Sequence, residues 1–516
     1  MNTRRLVVFL LTAVVTVSAR DIHVSPSGSD AGSGNEGAPY ATIGKAIDEA
    51  QAGDHIHVAN GTYAETLLFP EDKSGEIDNP IVLEGESRDG VIVDGEDSRE
   101  TCLLSTGADY VHVKKMSFKN AACESFQAEQ AAVRLESFDP DWYPSKDDLG
   151  EYYDRGSHGW LLQDLLIEGN RGVGLGLCLT TDVTVERVES CYNFATGLSG
   201  PHNGGLTVRQ CEIHHNCCGW DYNAWPGEAA IVEMGGKYYP NGHWEAGGSK
   251  MTWTRSAVFD HHLAYENHGS GLWFDIDNEN VIVSNSEFHS NRNVPAGNNS
   301  GRGLFMEINP IGNFTVDNCL IHDNDGYGME IAESQNITVN NTFFRNDALG
   351  FRDMNERDDG TNGLHVEHIE IQHNIFQDGQ IMAGWSCEDW TRQTITDRDI
   401  TIDYNTWEST PAYVSWGNYA ECNGIEECRS KLGIGMNSTE SGDWTEWDPG
   451  DVHIRPGISL RAPLAPAMPD RNAAVFSLNG RYLGTRRELR LQMQGRNACG
   501  AGVFVTRAHG TMHIIR

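Results

Sequence analysis

The sequence is short of positive charge. Its 516 residues carry 38 Lys and Arg against 74 Asp and Glu, a formal net charge of −36. A chain this acidic has no general electrostatic hold on nucleic acid or on an anionic membrane surface. It also lacks any apolar run near the ~18–20 residues that a bilayer span requires. No convincing helical period runs between residues 100 and 400, which nearly excludes helices from the body of the chain. Zinc-ligand spacing is missing too: Cys217 and Cys218 are adjacent, and His261-His262 has no partner set one helical turn away.

The charge that is present is unevenly placed. Residues 451–516 hold ten Arg and three acids, whereas residues 20–450 hold 26 basic and 71 acidic residues. This divides the chain into an acidic body and a basic tail. Residues 1–19 read as an export signal, with Arg4 and Arg5, an apolar run over 6–17 and the small-residue site Val17-Ser18-Ala19. The mature protein is therefore expected to begin near Arg20 and to be secreted, extracellular or at the cell surface, without membrane insertion. Twelve cysteines in an exported chain imply disulfides, and Cys422 with Cys428 is the best local pair.

A repeat organises the body. An eleven-residue unit combines alternating apolar positions, a polar corner, a second apolar pair and a closing Asn. It reads VTVERVESCYN from 183, LTVRQCEIHHN from 206 and FTVDNCLIHDN from 314. Starts at 160, 183, 206, 257, 281, 314, 337, 369 and 400 give steps of 23, 23, 51, 24, 33, 23, 32 and 31. A period near 23 with insertions predicts a solenoid of short parallel strands, each coil burying its inward side chains against the next. The closing Asn170, Asn193, Asn216, Asn267, Asn291 and Asn324 are expected at one corner as a structural amide ladder.

At the N-terminus stand Asp21-Ile22-His23-Val24-Ser25-Pro26, Pro39-Tyr40-Ala41-Thr42-Ile43 and Gly53-Asp54-His55-Ile56-His57-Val58. With the repeat, these make the chain resemble secreted right-handed parallel β-helix proteins of the pectin-lyase-like superfamily, a scaffold of polysaccharide lyases and glycoside hydrolases. The resemblance implies an all-β solenoid over 20–440, with a short capping helix over 43–50. A linker over 441–470 and a small basic β appendage over 471–516 complete the expected organisation.

Candidate chemistry lies in the strands that follow the Asn corners. Alternation in Gly271-Leu272-Trp273-Phe274-Asp275-Ile276-Asp277 turns Leu272, Phe274 and Ile276 inward and Trp273, Asp275 and Asp277 outward. Phe305, Glu307 and Asn309 are expected to take the same places one coil on, and Glu330 to follow. The result is a column of carboxylates, Asp275, Glu307 and Glu330, beside Trp273 and Phe305 as flat platforms for sugar rings. Carboxyls one strand spacing apart suit a retaining glycosidase, one of them kept protonated by the other. The long insertion between Cys218 and Thr252 adds His243, Trp244 and Lys250 as a groove wall.

Two enzymatic readings follow. Asp275 and Glu307 could hydrolyse a glycosidic bond with Glu330 tuning them. Alternatively Asp275, Asp277 and Glu307 could hold Ca²⁺ against a uronate, with Lys250 as base and Arg302 stabilising the enolate. A third reading is a non-catalytic glycan-binding or adhesive surface protein. The calcium signature of pectate lyases, the polygalacturonase motifs and the Asp-Pro-His-Glu motif of mannuronan epimerases are all absent, so the resemblance implies a class of polysaccharide-acting enzyme and no particular member. The tail, with AAVFSLNGRYLG from 473 and Gly-Val-Phe-Val-Thr-Arg near its end, resembles C-terminal sorting segments read by secretion machinery. Deleting 451–516 is expected to leave glycan activity intact and to alter export or surface retention, measured by fractionating cells that express both forms.

Overall fold

A computed structural model describes residues 19–123, 128, 130–136, 157–217, 247–293, 300–353, 364–384 and 390–447, and the backbone of four short strands beyond them. The repeat forms a right-handed parallel β-helix. Each full coil contributes one strand to a 13-stranded sheet and two to a 25-stranded sheet. The larger sheet is two stacks joined through the long strands Val111–Lys119 and Leu161–Glu168, which run through both. Strand register follows the repeat: Leu206 pairs with Ala257, Val281 with Phe314, and Ile337 with Ile369, which in turn pairs with Ile400. The strands on either side of each insertion therefore pair in register.

Period-2 alternation fills the interior. Val185, Val208, Phe259, Val283, Val316, Val339 and Ile371 are all buried in one continuous core. Aromatic rings stack through it, as in Phe344, Phe376 and Trp407 at 5.0 Å per step. The helix Ile43–Glu49 covers the open first coil with Ile43, Ala46 and Ile47 buried, and the Thr42 hydroxyl caps it by accepting from the Lys45 N–H. This keeps the first strands from serving as a pairing edge. Among the described residues, the range 100–400 does hold one helix, Arg392–Asp397, closed by a reciprocal cap between Thr391 and Thr394. Six residues are too few to show a period, so a side-chain cap replaces the sequence pattern as its determinant.

The asparagines form the expected ladder inside the coil. Nδ2 of Asn170 donates to Oδ1 of Asn193 at 2.8 Å, and the series continues through Asn216, Asn267, Asn291 and Asn324 at 2.9–3.1 Å. Each Oδ1 also accepts the backbone N–H of the preceding Asn, so one side chain satisfies two buried donors. The glycines after each corner have their reason here. A Cβ on Gly197, Gly248 or Gly271 would lie 2.6–2.9 Å from the ladder amide of the next coil. The ladder ends at Asp347, whose carboxylate accepts from Asn324 Nδ2 at 2.8 Å and has no N–H to pass on.

Cys422 and Cys428 are joined, with Cα atoms 5.2 Å apart. Five other cysteines, Cys102, Cys123, Cys191, Cys211 and Cys319, are buried free thiols that act as apolar filling rather than as bridges. Toward the C-terminus, Ala474–Phe476 pairs antiparallel with Tyr482–Thr485, and Phe504–Ala508 with Thr511–Ile515.

Burial pushes the Asp347 carboxyl up from 3.8 to about 7. The native state then holds a proton that the unfolded chain releases near its ordinary pKa, so this group makes stability fall as pH rises from about 4 to about 7. Asp347→Asn extends the ladder with an amide that can accept the same N–H groups. The variant is expected to lose that decline and to exceed the wild type at about pH 8 by on the order of 1–3 kcal/mol, read from urea-unfolding midpoints at both ends of the window.

Candidate active site

Five adjacent strands of the 13-stranded sheet carry the candidate residues: Gly247–Thr252, Ser270–Asp275, Leu304–Glu307, Met329–Ala332 and Ala348–Arg352. Met251, Leu272, Phe274, Leu304, Met306, Met329, Ile331, Leu349 and Phe351 point into the core. The alternate positions form two rows on the outer face. One runs Lys250, Trp273, Phe305, Glu330, Gly350, and the other Thr252, Asp275, Glu307, Ala332, Arg352.

This register brings Asp275 opposite Glu307, as expected, and moves Glu330 out of the acidic row. Glu330 faces Phe305, two positions away along the strand direction. Aligning Gly303 with Gly328 in the sequence would have placed it there. The strand also ends sooner than expected. Ile276 and Asp277 turn through left-handed backbone, φ 57° and 55°, so Ile276 is only half-buried and Asp277 does not continue the row. Asn309 is not outward either. It is buried at a second corner ladder, where its Oδ1 accepts from Asn278 Nδ2 at 3.1 Å. His243 and Trp244, with residues 218–246 as a whole, lie outside the described residues.

Cations thread between the acids. Lys250 Nζ is 3.0 Å from Asp275 Oδ2 and 4.0 Å from the centre of the Trp273 ring. Arg352 bridges two carboxylates, its Nη2 donating to Glu307 at 3.0 Å and its Nε to Glu330 at 2.8 Å. Arg302 pairs with the other oxygen of Glu330 and lies 4.0 Å over the Phe305 ring. Trp273 and Phe305 stack on each other at 5.2 Å. They are only 3% and 2% exposed, so the expected open platforms are instead a buried aromatic floor beneath Lys250 and Arg302. Arg352 went unnoticed in the sequence, although alternation through Leu349-Gly350-Phe351-Arg352 points it outward beside Glu330.

The arrangement sets unequal protonation. Desolvation and the neighbouring Asp275 charge push Glu307 up from 4.5 to about 7, against the opposing pull of Arg352 and Arg302. Glu307 thus holds a proton well into the neutral range, beside a carboxylate that has its own ammonium partner. Calcium does not fit these residues. Asp275 and Glu307 are each matched at 3.0 Å by Lys250 and Arg352, where a shared Ca²⁺ would have to sit, and Asp277 lies beyond the row.

The class is a right-handed parallel β-helix. A model of the right-handed β-helix region matches residues 236–344. A family described as proteins of unknown function, DUF1565, matches residues 26–72. Among curated proteins, the pectate lyase PEL9 of Emericella nidulans is 43% identical over 81 residues, which are 16% of this chain and 20% of that protein. The uncharacterised protein YwoF of Bacillus subtilis is 35% identical over 75 residues, 14% of this chain and 16% of that one. The chain thus spans a fifth or less of the length of these relatives. Among solved structures, XylC in complex with xylose superposes with a TM-score of 0.51 at 12% identity, covering 82% of this chain and 86% of that one; this likeness is one of fold.

Arg352→Gln removes the cation shared by Glu307 and Glu330. The Glu307 carboxyl is then expected to titrate above its present value of about 7, by roughly one unit or more, seen as an upward-shifted carboxyl resonance in a ¹³C NMR titration.

Proposed function

We propose that this chain is a secreted carbohydrate-active enzyme that cleaves glycosidic bonds of a polysaccharide on the outer face of the 13-stranded sheet. The observation that carries the reading is Glu307, protonated up to about pH 7 and facing Asp275 on the next strand. Glu307 serves as general acid, donating its proton to the departing glycosidic oxygen. Asp275, paired with Lys250 at 3.0 Å, attacks or stabilises the sugar cation. Parallel neighbours stand about 4.8 Å apart, closer to the spacing of retaining than of inverting carboxyl pairs. Arg352 and Glu330 hold the acid in place. Lys250 and the two arginines supply the positive charge that an acidic sugar would meet. The curated relative named as a pectate lyase, though matched over a short stretch, supports a polysaccharide as substrate. Export through residues 1–19 and sorting through 471–516 belong to the same proposal.

A lyase is the second reading, favoured by the placement of Lys250 beside two arginines. Lys250 would abstract the C5 proton of a uronate while Arg302 and Arg352 hold its carboxylate. A purely adhesive role through Trp273 and Phe305 has little support, since cations already cover those rings.

A polysaccharide panel separates these readings. Glu307→Gln and Asp275→Asn are each expected to lower kcat by about 10²–10⁴-fold and to yield no unsaturated product. Wild-type activity should fall as pH rises through about 7, where Glu307 loses its proton. Full activity in both variants would sink the pair. An ultraviolet-absorbing unsaturated product, lost in Lys250→Met, would move the assignment to lyase.

A further inference from the structure

On the side of the coil formed by the 25-stranded sheet, away from the rows above, a second register-built cluster stands. Glu287 and His289 are two residues apart on the strand Glu287–His289, so they share its outer face. Parallel pairing sets His322 of the next strand directly against His289. The two imidazoles stack at 4.8 Å with 13° between their planes, continuing a column that begins with His214 and Tyr265. His322 Nε2 lies 3.0 Å from Glu287 Oε1. Its Nδ1 is held at 2.7 Å by Asp323, and the Nδ1 of His289 lies 3.2 Å from the Ser290 hydroxyl. Asp323 and Ser290 orient the two rings through Nδ1, the second-sphere pattern that prepares a histidine for a metal; His322 Nε2 now donates to Glu287, and a metal between these two atoms would take the place of that proton. One ligand atom from each of Glu287, His289 and His322 lies within 4.8 Å of the others.

We propose that Glu287, His289 and His322 bind a divalent first-row transition metal of the zinc class and clip two successive coils together. Imidazole nitrogen and carboxylate oxygen at about 2.0–2.2 Å are ordinary zinc ligands, and three protein ligands leave a position for water. A modest tilt of the stacked rings brings the donors to the roughly 3.4 Å separation that such bonds imply. The side chains of His322 and Glu287 are 17% and 18% exposed, so an ion can enter without unfolding the coil. Two other clusters are less prepared. In Glu189, Cys191 and His214, Arg88 already occupies Glu189 at 2.9 Å and the thiol is buried. In Asp21, His55 and His57, the carboxylate is 71% exposed.

The test is calorimetric titration of the full chain with Zn²⁺ after chelator treatment, with a parallel Co²⁺ titration read by visible absorption. Stoichiometric binding is expected, weakened at least about tenfold in His289→Gln and in His322→Gln and lost in the double variant, each folded by circular dichroism. Asp323→Asn should weaken it less, while Cys191→Ser and His57→Gln should leave it unchanged. Absence of binding overturns the proposal, as does binding that survives the double variant or disappears with Cys191→Ser or His57→Gln.

Discussion

The coils from Asn170 to Asp347 bend through a corner where a backbone N–H is buried, and their stacking rests on how that corner is satisfied. A buried N–H without an acceptor costs about 1–3 kcal/mol, repeated here at each of these corners. The side chains from Asn170 to Asn324 meet that demand by accepting from both the amide and the backbone of the coil before. Because the amide reaches only one strand spacing, it also fixes register. A slip of one residue would turn every inward side chain outward and leave the ladder without partners. The same amides exclude a Cβ at the following position, which is why glycine opens so many of the strands that bear the candidate site.

Register is what creates the site. The pairing of Trp273 with Phe305 and of Asp275 with Glu307 is a property of stacked coils, and the charges around them are an ordered lattice of three acids and three cations. Burying such charges is not an efficient route to stability, since desolvation offsets much of the attraction. Its use is to fix groups in place before a substrate arrives. The lattice is unevenly shared. Asp275 has Lys250, and Glu330 has both Arg302 and part of Arg352, which leaves Glu307 with a divided partner. Burial and the neighbouring Asp275 charge put the proton on Glu307, and the pull of Arg352 and Arg302 does not overcome them.

Much of the solenoid was legible because its determinants are local and repeated. The steps between units are the register shifts of the sheets, and the closing asparagines are the ladder. Errors arose where one residue more or less changes the outcome. Asp277 and Asn309 look equivalent by count, yet the chain with Asp277 carries an extra left-handed residue, so Asn278 takes the corner. Exposure was illegible for a different reason. Alternation tells that Trp273 and Phe305 leave the core, but not that Lys250 and Arg302 will lie across them. The His289–His322 pairing is invisible to any motif of fixed spacing, because the step of 33 positions between them is one of several unequal steps in the repeat.

The amide ladder has a direction, since every side chain donates toward the C-terminus and accepts from the N-terminal side. Any interior coil can therefore be duplicated or deleted as a unit of 23 or so residues and leave each remaining amide with a neighbour of the right kind. Asp347 alone breaks the pattern: it receives from Asn324 and has no amide N–H to hand on. The length of this ladder, though not of the coil that pairs on through Ile369 and Ile400, is thus written in one side chain, and a gene that lengthens by internal repetition would be free to grow everywhere along the ladder except past its terminal acceptor.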